Sequence, residues 1–288
     1  MTHFGVTQSQ VTRSGVTRSG VTPPPDFHVH TQFSWDAPRG DMEETCRRAL
    51  ELGLPSIAFT DHADFVRDVH TDLRPLDPAA YLGEVERCRA LFPALRILSG
   101  VELGEAHRHP VETGRVLAAG PLDRVLGSVH CTTWRGVLMD ASQLRSVGAG
   151  DAPAFLGAYL EESVALVESD APFEVLAHLD YPKRFWPHAD VPFREEDFQD
   201  QLRAVLRGLA RRGGVLEVNT TRGAEPERGL CPGPTVLRWW AEEGGRAVSL
   251  GSDSHEPGRI AAGFELGRQV IEAAGFRAND DPCGFWLR

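Results

Sequence analysis

DFHVHTQFS, residues 26–34, sets His28 and His30 two positions apart at the end of a short apolar run. Alternate side chains of a β-strand leave the same face, so the two imidazoles can hold one ion. The same design recurs outward from this stretch. Short apolar or β-branched runs at 26–30, 55–60, 96–102, 124–130, 174–178, 214–219 and 246–252 read as strands. Segments of helical period follow them, at about 41–53, 77–91, 110–119, 152–169, 194–212, 233–244 and 258–274. Gly53 and the pair Gly213–Gly214 supply stop signals, and Pro153 sits near the start of the fourth helix. In 194–212, Phe198, Leu202, Val205, Leu206 and Leu209 mark one buried stripe. Strand-then-helix units in series predict a parallel sheet covered by helices.

The polar residues decide how that sheet closes. Six of the eleven histidines fall at or just past a strand's C-terminal end: His28, His30, His62 in TDH, His130 in GSVH, His178 in LAH and His255 in GSDSH. Asp36, Asp61, Glu102 and Asp253 stand at the same level. An open sheet would spread these ends along a line, whereas a barrel gathers them at one face, where catalytic groups collect. A single-domain barrel is therefore expected. Imidazoles and carboxylates are ligands for Zn²⁺, Mn²⁺ and Fe, and their number exceeds what one ion takes, so two or three ions are implied. A barrel mouth gains no stability from collecting titratable groups that are costly to desolvate. Taken singly, His3, His70, His107, His109 and His188 read as surface or satisfied-core residues. Asp61 reads as a group that orients a neighbouring ligand.

Composition narrows the field further. The 288 residues carry 30 Lys+Arg against 41 Asp+Glu, a net charge of −11, which disfavours a protein built to grip nucleic acid. No apolar run approaches the roughly 18 residues needed to cross a bilayer. Five cysteines, odd in number and never in C-x-x-C, fit reduced thiols in a cytoplasmic protein. Residues 1–25 repeat VTRSG in tandem and end in three prolines, so they read as a disordered tail ahead of a barrel over 26–288. The sequence sets no oligomeric state.

The motifs, in order, resemble those of the polymerase-and-histidinol-phosphatase (PHP) superfamily. DFHVHTQFS, SGVELGEA, GSVHCTTW, AHLDYPKRF, LEVNTTRG and SLGSDSHEP are similar to segments of its histidinol-phosphate phosphatases, over Asp26 to about Phe276. The resemblance implies a distorted (βα)7 TIM-like barrel and three divalent metal ions. His28, His30, Glu102 and Asp253 would hold the first. Glu102 would bridge to a second, completed by His130 and His178. Asp36, His62 and His255 would hold the third. Many relatives have His where Asp36 stands, and the harder ligand favours Mn²⁺ or Fe over Zn²⁺.

That implies a small phosphorylated substrate, L-histidinol phosphate first among candidates. Another phosphomonoester, a nucleotide or protein phosphotyrosine, is the alternative. Three ions, three carboxylates and a bridging hydroxide leave a charge of about +2, matched to a phosphate dianion. In-line attack by that hydroxide needs no phospho-enzyme, and a metal-bound water, Asp253 or His255 could protonate the leaving alkoxide. Arg184, Arg222 and Lys183 follow strand ends and are candidate substrate-binding cations. Trp134, Phe185 and Trp186 are candidate walls for an imidazole ring, while Trp239 and Trp240 read as core. A polymerase proofreading module would predict a basic surface or extra domains, and the net charge of −11 and the absence of room for a polymerase speak against it. An amidohydrolase often bridges its metals with a modified lysine late in a strand, and the single lysine here, Lys183, follows His178 in a loop.

Overall fold

The structure is a computed structural model that describes residues 23–223, 225 and 229–288. Apart from Pro23–Pro25, the expected tail lies outside the described residues. Eight parallel strands carry the sheet: β1 (Asp26–Val29), β2 (Ser56–Phe59), β3 (His62–Ala63), β4 (Arg96–Gly104), β5 (Arg124–Ser128), β8 (Val175–Leu176), β9 (Val215–Asn219) and β10 (Ala247–Gly251). They pair in the order β1-β2-β4-β5-β8-β9-β10, with β3 on β4 continuing the line of β2. Neighbours in sequence are neighbours in space, as successive strand–helix units require.

The sheet curls until its ends meet at the C-terminal side alone. The backbone beyond β10 reaches back to β1: Asp253 N–H donates to His28 O at 2.7 Å, and His30 N–H donates to Ser254 O at 2.8 Å. The barrel expected from the strand-end histidines is thus present and distorted, closed at the mouth where the functional groups stand. Edge strand β11 (Trp286–Leu287) pairs antiparallel with the lower half of β10.

Helices α1 (Met42–Leu52), α2 (Pro78–Leu91), α3 (Pro110–Leu117), α4 (Ala152–Glu168), α5 (Gln199–Arg211), α6 (Pro234–Glu242) and α7 (Phe264–Ala273) wrap the outside. Capping is local. Asp41 accepts the Glu44 N–H at the start of α1, and Gly53 ends it at φ 74°, a left-handed position glycine takes without strain. The α5 stripe is buried as the periodicity predicts, with Leu202, Val205, Leu206 and Leu209 packed among residues of α4 and α6.

Three local features differ from the sequence reading. The segment 131–140 is a hairpin, β6 (Cys131–Trp134) against β7 (Val137–Asp140). The last helix is shorter than expected, because left-handed backbone at Ala261 (φ 56°) and Gly263 (φ 78°) interrupts it. The segment 194–212 begins as a 3₁₀ turn over Glu195–Phe198. Among the described residues no helix is long and apolar enough to cross a membrane.

Candidate active site

The mouth of the barrel brings together all nine expected ligands, and the hydrogen bonds behind them dictate which atoms point inward. His28 Nδ1 donates to Glu217 Oε1 at 2.6 Å. Ser34 Oγ–H donates to Asp61 at 2.7 Å, so its oxygen accepts from His30 Nδ1 at 2.9 Å. His130 Nδ1 faces Asp64 Oδ1 at 3.0 Å, and His255 Nδ1 faces the Asp253 carbonyl at 3.0 Å. With each Nδ1 proton engaged outward, four Nε2 lone pairs face the interior.

Those lone pairs meet only other acceptors. His28 Nε2 and His30 Nε2 are 3.0 Å apart. They lie 3.1 and 3.4 Å from Glu102 Oε2, and Asp253 Oδ1 is 3.2 Å from His30. Glu102 Oε1 receives His178 Nε2 at 2.8 Å and His130 Nε2 at 3.2 Å. Asp36 Oδ2 stands 3.1 Å from His255 Nε2 and 3.5 Å from His62 Nε2. Imidazole nitrogens and carboxylate oxygens converging at these distances fit a cation. Zinc–ligand bonds of about 2.0–2.1 Å place tetrahedral ligand atoms about 3.3 Å apart, which these spacings match. Glu102 sits between two such groups, one with His28 and His30 and one with His62 and His130.

Charge follows the same logic. Burial pushes the Glu102 and Asp253 carboxyls up, but surrounding imidazoles outweigh it and hold both well below the usual carboxylate range, with His28 foremost. Burial pushes His28, His62 and His130 down, but nearby carboxylates outweigh it and raise all three. His30 is buried and crowded by His255 and His62, and falls to about 3. The carboxylates are therefore ionised, and protons compete with divalent cations for the same lone pairs. His178 (φ 24°) and Asp253 (φ 52°) also carry left-handed backbone, strain of the kind that collects at functional sites.

Several supporting groups are not evident as such in the sequence. Glu217 accepts from His28 with one oxygen and from the His178 N–H with the other, at 2.7 Å, tying β1 to β8. Asp64 holds His130 and the Trp35 indole. Glu105 accepts the N–H groups of His130 and Cys131, and burial lifts its carboxyl to about 7. The spacing of Asp64, two residues past His62, is the one sequence signal that could have marked it.

The candidate cations separate. Arg184 lines a cleft of about 380 Å³ over the cluster, donating to Asp253 Oδ2 at 3.1 Å and Asn219 Oδ1 at 2.7 Å. Lys183 is buried away from that cleft, held by Asp180 and the Leu230 carbonyl, so its geometry is that of a structural ion pair. Arg222 is exposed at an adjoining rim and pairs with Glu225 at 3.0 Å. The proposed aromatic wall is also displaced. Trp134 packs on Phe155, Phe185 on Tyr181, and Trp186 donates to the Val191 carbonyl. The rings that line the cleft are Trp35 and Tyr181. Trp239 and Trp240 are buried in the core.

Six imidazoles and three carboxylates at the mouth of a curled parallel barrel define a class of metal-dependent α/β hydrolases. A family model for the PHP domain matches residues 26–221, and the chain belongs to that family. It is 27% identical to a histidinol-phosphatase of Lactococcus lactis over 262 residues, covering 87% of this chain and 91% of the relative. It is 32% identical over 268 residues to a protein of Deinococcus radiodurans named "Probable histidinol-phosphatase", covering 86% and 91% of the two chains. A crystal structure of histidinol phosphate phosphatase from Lactococcus lactis, in complex with zinc, L-histidinol and phosphate, superposes with a TM-score of 0.78 at 25% identity, over 91% of this chain and 98% of that one.

Proposed function

We propose that the protein is a metal-dependent phosphomonoesterase that hydrolyses L-histidinol phosphate to L-histidinol and phosphate, a step of histidine biosynthesis in the cytoplasm. The observation that carries this is the convergence of six imidazoles and three carboxylates at one mouth, beneath a cleft that holds a fixed guanidinium. His28, His30, Glu102 and Asp253 would hold one ion, Glu102, His130 and His178 a second, and Asp36, His62 and His255 a third. Bound divalent ions supply Lewis acidity, a lowered pKa for water and positive charge against phosphoryl oxygens.

The chain's own residues do the rest. Glu217, Ser34 and Asp64 fix three of the imidazole tautomers, so the ligand lone pairs are preorganised. Arg184 is anchored at both terminal nitrogens, while its Nε is buried without a hydrogen-bond partner among the described residues. That places a rigid cation beside Asp253 for a phosphoryl oxygen. Asp253 and His255 adjoin on the same loop at the cleft, and since Asp253 is ionised, His255 is the one of the two placed to pass a proton to the leaving oxygen. Trp35 and Tyr181 line the cleft and give it aromatic surface for an imidazole.

A substrate panel tests the reading. Phosphate release from L-histidinol phosphate should exceed release from nucleotides, phosphotyrosine peptides, sugar phosphates and p-nitrophenyl phosphate by at least tenfold in kcat/KM. A nucleotide or phosphotyrosine peptide that outperforms it would overturn the substrate assignment.

A further inference from the structure

One more set of donor atoms converges outside the strand-end cluster. The β6–β7 hairpin turns at Arg135 and Gly136, with φ of 49° and 80°, and its register sets Cys131 directly opposite Asp140. Cross-strand partners hold their Cβ atoms about 4.5–5.5 Å apart, close enough to share an ion. Asp140 Oδ1 accepts the Ser142 N–H at 2.7 Å, which leaves Oδ2 to turn toward the third donor. That donor is His70, whose N–H bonds the Val66 carbonyl at 3.1 Å and whose ring lies 4.9 Å from Trp35. His70 Nε2 stands 3.4 Å from Cys131 Sγ and 3.5 Å from Asp140 Oδ2. Zinc with N and O bonds of about 2.0–2.1 Å and an S bond of about 2.3 Å separates its ligand atoms by about 3.3–3.6 Å.

We propose that His70, Cys131 and Asp140 form a separate zinc site in the wall of the cleft, filled when zinc is in excess and inhibitory when filled. His70 and Asp140 line the cleft and Cys131 lies buried behind them, so the fourth coordination position opens toward the substrate space. Binding breaks the Cys131 S–H bond, forms an S–Zn bond and releases the proton to solvent, with no change of oxidation state. The thiolate selects zinc or cobalt over Mn²⁺. The inhibitory consequence rests on the proposed function: filling the site cancels the Asp140 charge that would attract a cationic leaving group such as histidinol and occupies that wall of the cleft. The site itself does not rest on it.

Sulfur separates this site from the main cluster, whose nine ligand residues contain no cysteine. The full-length protein, loaded with Mn²⁺ to its metal plateau, is titrated with Co²⁺ and followed by near-ultraviolet absorption. A thiolate-to-cobalt charge-transfer band should grow, be displaced by Zn²⁺, vanish in Cys131→Ser and fall at least fivefold in His70→Ala, while Cys283→Ser keeps it. In parallel, excess Zn²⁺ should raise the KM for L-histidinol phosphate at least threefold in the unaltered chain and in Cys283→Ser, but not in His70→Ala or Cys131→Ser. No band, or a band that survives both Cys131→Ser and His70→Ala, overturns the site. A band with an unchanged KM overturns the inhibitory role and leaves the site standing. Failure of L-histidinol phosphate as a substrate, with the band present, would instead fault the proposed function.

Discussion

Glu217→Gln is the sharpest perturbation of the mouth, because it leaves shape nearly intact and removes one charge. Glu217 is buried, and its two oxygens accept from His28 Nδ1 at 2.6 Å and from the His178 N–H at 2.7 Å. A glutamine has one acceptor for those two donors. Its amide oxygen can satisfy the His178 N–H, but its NH₂ then faces His28 Nδ1. His28 must move its proton to Nε2, the atom 3.0 Å from His30 Nε2 and 3.1 Å from Glu102, and so loses its inward lone pair. Loss of a hydrogen bond to a charged group costs about 1.5–3 kcal/mol. Loss of a ligand-orienting carboxylate lowers metal affinity about 10–100-fold. The two figures agree, since each tenfold corresponds to about 1.4 kcal/mol. Chelator competition on the folded variant should therefore show metal affinity down by 10–100-fold, with kcat recovering as metal is raised. Affinity within twofold of the parent, in a protein whose circular dichroism is unchanged, would refute the tautomer argument.

Arg184→Ala should lower kcat/KM about tenfold or more, consistent with a charged hydrogen bond of about 1.5–3 kcal/mol, and Arg184→Lys should not rescue it, because one ammonium cannot span Asp253 and Asn219. Parent-like kinetics would remove Arg184 from the site. Leu206→Ala, in the fully buried α5 stripe, should cost about 2–5 kcal/mol in denaturant unfolding while leaving the substrate KM unchanged. A loss below 1 kcal/mol would contradict the packing described. Metal affinity should fall as pH falls through neutrality. His28, His62 and His130 hold protons above the ordinary imidazole value in the metal-free protein, so each must release one before it can ligate. A pH series of chelator competitions checks the sign, and a flat profile would refute it.

What the sequence made legible was whatever a single chain segment carries by itself. Period-two strands ending in His or Asp, and the α5 stripe, need no knowledge of neighbours, and they located the mouth. Glu217 and Asp64 act on ligands from other elements, so their meaning appears only once the sheet curls to bring β9 within reach of β1 past β10 and the residues after β2 stand beside His130. The hairpin at 131–140 was hidden because its strands are short and mixed in polarity, although Arg135–Gly136 is a two-residue turn with both φ positive. Lys183 and Arg184 are adjacent in sequence yet face different environments, one against Asp180 and the other against Asp253, a division set by the 3₁₀ turn at Tyr181–Phe185.

The central claim is that the strand-end residues hold the metal on which hydrolysis of L-histidinol phosphate depends. Metal bound per chain and the rate of phosphate release, measured on the same samples as metal is stripped by a chelator and restored, test it most directly. Rate and occupancy should fall and return together, and Glu102→Gln should lower both. A metal-free preparation that releases phosphate at the parent rate would contradict it.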